Sequence, residues 1–252
     1  MIEIENLRAY VSIGDSMSID LYPYLDLSGS GDSDIPCEVG AASLLYANAD
    51  SLYEEFIGRD LKSLAPGIEL AKMALDGATT YDYFDREFLK LISKYRDNSL
   101  LITVTLGGND LLALITRSVQ VPDNLEGELD NLLLRYDTVI NTVEEEFSRG
   151  IFILNSVYDP TDGTGELPGF PDFLDKLSLL ERLNGHIENL AEEKRFLFAD
   201  IHKHFYGHGL SAPEENRWYW KQNPIEPSAI GASEIRRLWF DLLLEDGIVS
   251  LN

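Results

Sequence analysis

Apolar runs that stop at glycine or at a small polar residue alternate along the chain with longer stretches whose apolar residues lie three and four apart. Residues 8 to 13, 68 to 75, 100 to 106, 151 to 155 and 195 to 201 read as strands. Between and after them, 81 to 95, 130 to 147, 173 to 194 and 229 to 244 read as helices. Phe84, Phe88, Leu91, Ile92 and Tyr95 form the expected inner face of the first helix. Leu133, Tyr136, Ile140, Val143 and Phe147 form that of the second, which Ser148-Arg149-Gly150 ends. Five strands alternating with helices predict a three-layer α/β/α sandwich with a five-stranded, mainly parallel sheet joined by right-handed crossovers. The stretch from Leu21 to Gly67 is long for a connection and carries a turn-rich run at 28 to 34. Its apolar segments, Gly40 to Tyr46 and Leu52 to Phe56, predict a packed insertion that forms a lid or pocket wall.

The chain has 252 residues, 44% of them hydrophobic, which is enough for one sizeable core, and residues 1–252 read as a single domain. Twenty Lys and Arg against 44 Asp and Glu give a formal charge of −24, which argues against nucleic acid or an anionic membrane as partner. No apolar window is long enough for a membrane span. The single cysteine, Cys37, excludes an intrachain disulfide, and Met1-Ile2-Glu3-Ile4 lacks the basic start and apolar run of a secretory signal, so a cytoplasmic location is expected. Oligomeric state is not legible.

Candidate chemistry sits where the apolar runs stop. The first ends at Gly14-Asp15-Ser16, which places a serine hydroxyl at the carboxyl edge of a buried strand. That tripeptide alone is also an ordinary turn. The second run ends at Asp76-Gly77-Ala78-Thr79 and the third at Gly107-Gly108-Asn109-Asp110. In that order the three segments resemble the first three sequence blocks of the SGNH (GDSL-type) hydrolases. The resemblance implies a flavodoxin-like fold, with Ser16 as nucleophile and an oxyanion hole made by the N–H groups of Ser16 and Gly77 and by the Asn109 side chain.

The family's last block pairs an aspartate with a catalytic histidine three residues on, followed by proline and glycine. Here the stretch reads Asn223-Pro224-Ile225-Glu226-Pro227-Ser228-Ala229-Ile230-Gly231, so Asn223 stands for the aspartate and Glu226 for the histidine. Two arrangements follow. In one, Glu226 is the base, raised by burial from a reference pKa about two units below that of histidine, with activity highest in mildly acid solution. In the other, His208 of Gly207-His208-Gly209 reaches Ser16 from the loop after the fifth strand and Glu226 orients its imidazole. A turn role for His208 stands beside both.

His202 and His204 lack the further ligands of a metal site, and His186 reads as a surface or packing residue. Trp218, Tyr219 and Trp220 read as packing aromatics or as a pocket wall. Asp159 to Gly165 has calcium-loop spacing without the closing glutamate, because Phe170 stands there, so no metal is expected. The sequence thus predicts a carboxylic ester hydrolase that works through a Ser16 acyl-enzyme on a small-molecule ester, with no cofactor. Two other readings are a disarmed binding protein on the same scaffold and a flavodoxin-like domain whose Gly-Asp-Ser loop cradles a phosphate.

Overall fold

The structure, a computed structural model, describes residues 4–29, 35–118, 124–170 and 172–250. The turn-rich run expected at 28 to 34 lies outside these residues from 30 onward. Five strands, β1 (Ala9–Gly14), β2 (Glu69–Lys72), β3 (Leu100–Thr105), β4 (Gly150–Asn155) and β5 (Leu197–Ala199), make one sheet in the order β2-β1-β3-β4-β5. Every neighbouring pair is parallel, with Ala9 opposite both Glu69 and Leu100, and Leu100 opposite Gly150. The central strands β1 and β3 are buried at every position, as a sheet covered on both faces requires. The edge strands β2 and β5 are shorter than the apolar runs that announced them.

The connections supply α1 (Leu21–Ser28), α2 (Ala41–Tyr46), α3 (Leu61–Leu64), α4 (Glu87–Ile92) and α5 (Gly108–Ser118). They continue with α6 (Leu125–Glu146), α7 (Leu177–Lys194), α8 (Ile201–Phe205) and α9 (Ala229–Glu245). Strand alternation sorts the core into two layers. Ala9, Val11, Ile13, Ile102 and Val104 face α5, α6 and α7, whereas Tyr10, Leu101, Ile153 and Ala199 face α2, α3, α8 and α9.

Three features differ from the sequence reading or add to it. The run from Tyr81 to Tyr95 is not one helix: Arg86, at φ +64°, separates a 3-10 turn (Thr80–Tyr83) from α4. Phe84 and Leu91, expected inside, are exposed, because the break at Arg86 resets the helical phase; Tyr83 turns inward, its hydroxyl 2.7 Å from the carbonyls of Gly14 and Met73. Second, α5 starts at Gly108, within the third motif, where the sequence reading named no element. Third, the insertion packs as a layer, and its Tyr22 hydroxyl donates to Asp76 of the second motif loop. Its α1 and α2 pack on α9, and among the described residues none from 21 to 67 lines the cleft beside Ser16.

Candidate active site

The turn after β1 is locked by contact with the end of β3. Gly14 has φ +147°, and a Cβ there would lie 2.0 Å from the Thr105 hydroxyl, so the close approach of the two strand ends depends on glycine. Thr105 uses its carbonyl to accept the Asp15 N–H at 2.9 Å and its hydroxyl to meet Ser18 Oγ at 2.9 Å. Asp15 turns its carboxylate back on the chain, accepting the Met17 N–H at 3.1 Å. Ser16 is thereby fixed at the carboxyl edge of the sheet, 7% exposed.

Glu226 reaches the same edge from a closed loop before α9. Trp220 N–H donates to Glu226 O at 2.8 Å, Glu226 N–H to Asn223 O at 3.0 Å and Ser228 N–H to Trp218 O at 2.9 Å. The Tyr158 hydroxyl donates to Ile225 O at 2.7 Å, and Ser228 caps α9 by accepting from Gly231 N–H. The Pro-Gly frame read in the sequence is this loop and cap. Asn223 serves it through its main chain.

Within this frame Ser16 and the Glu226 carboxyl border one cleft, near enough for the hydroxyl to favour the carboxylate. Burial pushes the Glu226 pKa up to about 7; the nearby Ser16 hydroxyl opposes the rise, and the charge of Asp76 adds to it. The carboxyl is 5% exposed, and its Oε2 has no hydrogen-bond partner. Asp15 is also pushed by burial to about 7, opposed by the Met17 N–H and reinforced by the charge of Glu226. Two buried acids with matched, raised pKa values therefore flank one serine, an arrangement typical of sites rather than of scaffolding. Asp76 accepts from the Tyr22 hydroxyl at 3.0 Å, and the Tyr22 ring lies 5.6 Å from that of Trp220.

Asn109, in the first turn of α5, donates from Nδ2 to Ala78 O at 3.0 Å, which joins the second and third motif loops. Gly77 forms the turn after β2 with φ +67° and is exposed. Asp110 binds Thr80 through its N–H at 2.9 Å and its hydroxyl at 2.7 Å, pinning the same two loops from behind. Beside Ser16 opens a largely apolar cleft with about 720 Å³ of empty space, mouth included, and Asp15, Asn109 and Glu226 border it.

His208 is not brought to Ser16. Its Nδ1–H donates to Asn216 O at 2.9 Å, and its ring stacks on Trp218 with centroids 3.6 Å apart and planes within 6°. It is absent from the described lining of the cleft. A stacked, hydrogen-bonded ring is held in place by packing, and the arrangement in which His208 activates Ser16 is not the one formed. His204 pairs with Glu234 at 3.1 Å and His186 with Asp137 at 2.6 Å. Trp218 and Tyr219 pack on Phe205. In the loop after β4, Asp159 accepts from the N–H groups of Thr161 and Gly163, and Asp162 from those of Gly207 and Gly209. Both acids are thus committed to loop geometry.

The sequence reading missed that the Glu226 charge acts on Asp15. Asp15 was legible only as a turn residue, since nothing in sequence spacing brings position 226 beside it.

No family model matches the chain, and no curated protein matches it in sequence. Solved structures do. The lipase Lip_vut3 from a goat rumen metagenome shares 16% identity over 93% of this chain and 97% of its own, with a TM-score of 0.64. A protein described as a GDSL-like lipase from Parabacteroides merdae ATCC 43184 shares 15% over 94% and 97%, with a TM-score of 0.62. Axe2, an acetylxylan esterase from Geobacillus stearothermophilus, shares 16% over 96% of each chain, with a TM-score of 0.61. Across nearly its whole length, the chain has the α/β/α fold of the GDSL (SGNH) lipases and esterases.

Proposed function

We propose that the protein is a serine ester hydrolase in which a glutamate, Glu226, does the work of the usual histidine. The observation that carries this reading is that Ser16 and a buried carboxyl, raised to about 7, meet at the edge of one apolar cleft. A base titrating near neutrality is matched to taking a serine proton and then returning it to a leaving alkoxide. Ionised Glu226 takes the proton as Ser16 Oγ attacks the ester carbonyl. The N–H groups of Ser16 and Gly77 and Asn109 Nδ2 receive the oxyanion. The C–O bond breaks as the proton passes from Glu226 to the departing alcohol, and a water activated by the same carboxylate releases the acyl group. The likeness to a lipase and to an acetylxylan esterase supports ester hydrolysis. Two carboxyls beside Ser16 oppose the reading as a phosphate cradle.

A fluorophosphonate probe tests the reading before any substrate is identified. Covalent labelling is expected on wild type, absent in Ser16→Ala and Glu226→Gln, and rising with pH around a midpoint near 7. Because a carboxyl and no imidazole meets Ser16, a disarmed binding protein is the second reading, and absence of labelling at every pH would establish it. Asn109→Ala should lower turnover by roughly 100- to 1,000-fold. A rate within a factor of two of wild type would remove Asn109 from the oxyanion hole.

A further inference from the structure

The cleft beside Ser16 has two unlike sides. One wall is aliphatic: Leu111, Leu112 and Ile115 of α5, Leu167 of the loop after β4, and Leu177 and Leu180 of α7. The wall is fixed before any ligand arrives, because Asn184 of α7 clamps the main chain of Val157 at both ends, accepting its N–H at 2.7 Å and donating to its carbonyl at 2.8 Å. From Asn109, beside the reacting carbon, to Ile115 is six residues of one helix, which is about 9 Å at 1.5 Å per residue. An extended acyl chain of roughly six to eight carbons has that length. The other side is acidic, bordered by Asp15, Glu226 and the nearby Asp76. Lys176, the cation in the described lining, is paired with Asp175 at 3.0 Å.

We propose that the site takes esters of medium-chain fatty acids with an alcohol that carries no negative charge. The proposal rests on Ser16 as the acyl acceptor. The acyl chain lies along α5 and α7. The ester C–O bond breaks as the Ser16 Oγ–acyl bond forms, the serine proton leaves with the alcohol through Glu226, and water then returns the free fatty acid. An acetyl group would leave the aliphatic wall empty, and a phosphate-bearing alcohol would meet carboxylates at close range in a chain of net charge −24.

Two measurements on the full chain separate this proposal from the reaction it rests on. The first is kcat/KM for p-nitrophenyl esters from acetate to dodecanoate, with 1-octanoylglycerol compared with its 3-phosphate. The second is calorimetric binding of ethyl acetate and ethyl octanoate to Ser16→Ala. Turnover should climb by roughly fourfold per methylene until the wall is covered, then flatten. Octanoylglycerol should exceed its phosphate at least tenfold, and Ser16→Ala should bind octanoate ester more tightly than acetate ester. Ile115→Trp, or Leu177→Phe at a half-buried position should the first not fold, should lower the octanoate-to-acetate ratio at least tenfold. Ser16-dependent turnover that is flat or falls with chain length overturns the acyl wall and leaves the hydrolase standing. No turnover of any ester, with chain-length-dependent binding retained, overturns the hydrolase and leaves the wall. Equal rates on the two octanoylglycerols overturn the exclusion of negative charge.

Discussion

At the scale of single residues, Glu226 is under two opposed demands. Its carboxyl is raised by burial from 4.5 to about 7, so the folded state prefers the protonated form. The stability this brings is complete below the unfolded pKa and is lost as pH rises through about 7. Activity runs the other way, since only the ionised form accepts the Ser16 proton, and its acid limb falls near neutrality rather than in the mildly acid range the sequence predicted. Glu226→Gln removes the ionisation and keeps the shape. It should therefore stabilise the protein by about 3 kcal/mol at pH 8 and by only about 1 kcal/mol at pH 5, while abolishing turnover. Urea unfolding of both proteins at the two pH values checks this. An equal effect at both would mean that Glu226 titrates in the fold as it does in the open chain. The position of Glu226 was legible because proline, serine and glycine spacing survive around it. The fate of His208 was not, because a histidine between two glycines carries no mark of the Trp218 ring that holds it.

At the scale of elements, the insertion and the last helix are held to each other by one buried cation. The Arg236 side chain is wholly buried, with its guanidinium 3.4 Å from the centre of the Phe56 ring. Its Nη1 donates to Asn48 Oδ1 at 2.8 Å and its Nη2 to Ser233 Oγ at 2.8 Å. Burial lowers its pKa to about 10, which leaves it charged at neutral pH. Arg236→Leu takes the donor from the half-buried Asn48 oxygen and removes the cation from the aromatic face. We expect a loss of about 2 to 4 kcal/mol, read as a lower urea midpoint at unchanged slope. An unchanged midpoint would show that the 48–56 segment is held without Arg236, by contacts such as the Tyr53 hydroxyl on Ala229 O and Arg237 with Glu55. The sequence showed that this insertion packs, through Leu44, Leu45 and Phe56, but an arginine within a helix reads as surface, so its partner stayed hidden. The helix α5 escaped for a related reason. Gly107-Gly108 and the polar Asn109-Asp110 interrupt the apolar pattern, although Leu111, Leu114 and Ile115 already had helical spacing. Glycines and polar residues at a helix start masked the helix.

For the molecule as a whole, charge outweighs pairing. Many of its 20 Lys and Arg lie in exposed pairs such as Lys90 with Glu87 and Lys221 with Glu214. Pairs of this kind contribute at most about 1 kcal/mol each. The remaining excess of 24 negative charges repels over the whole surface, and its reach shrinks from about 30 Å in 10 mM salt to about 8 Å at physiological ionic strength. Salt weakens both effects, but a close ion pair keeps more of its energy than a repulsion summed over long distances. Raising sodium chloride from about 10 mM to about 300 mM should therefore raise the Tm, and should raise it less at pH 5, where buried and surface carboxyls begin to take up protons. The same screening should narrow the preference for octanoylglycerol over its phosphate, because that preference arises from the same field focused at the cleft. A Tm that falls with salt would mean that the paired charges, rather than the unpaired excess, govern the fold. A substrate preference indifferent to salt would place the discrimination in direct contact with Asp15, Asp76 and Glu226, too close to be screened.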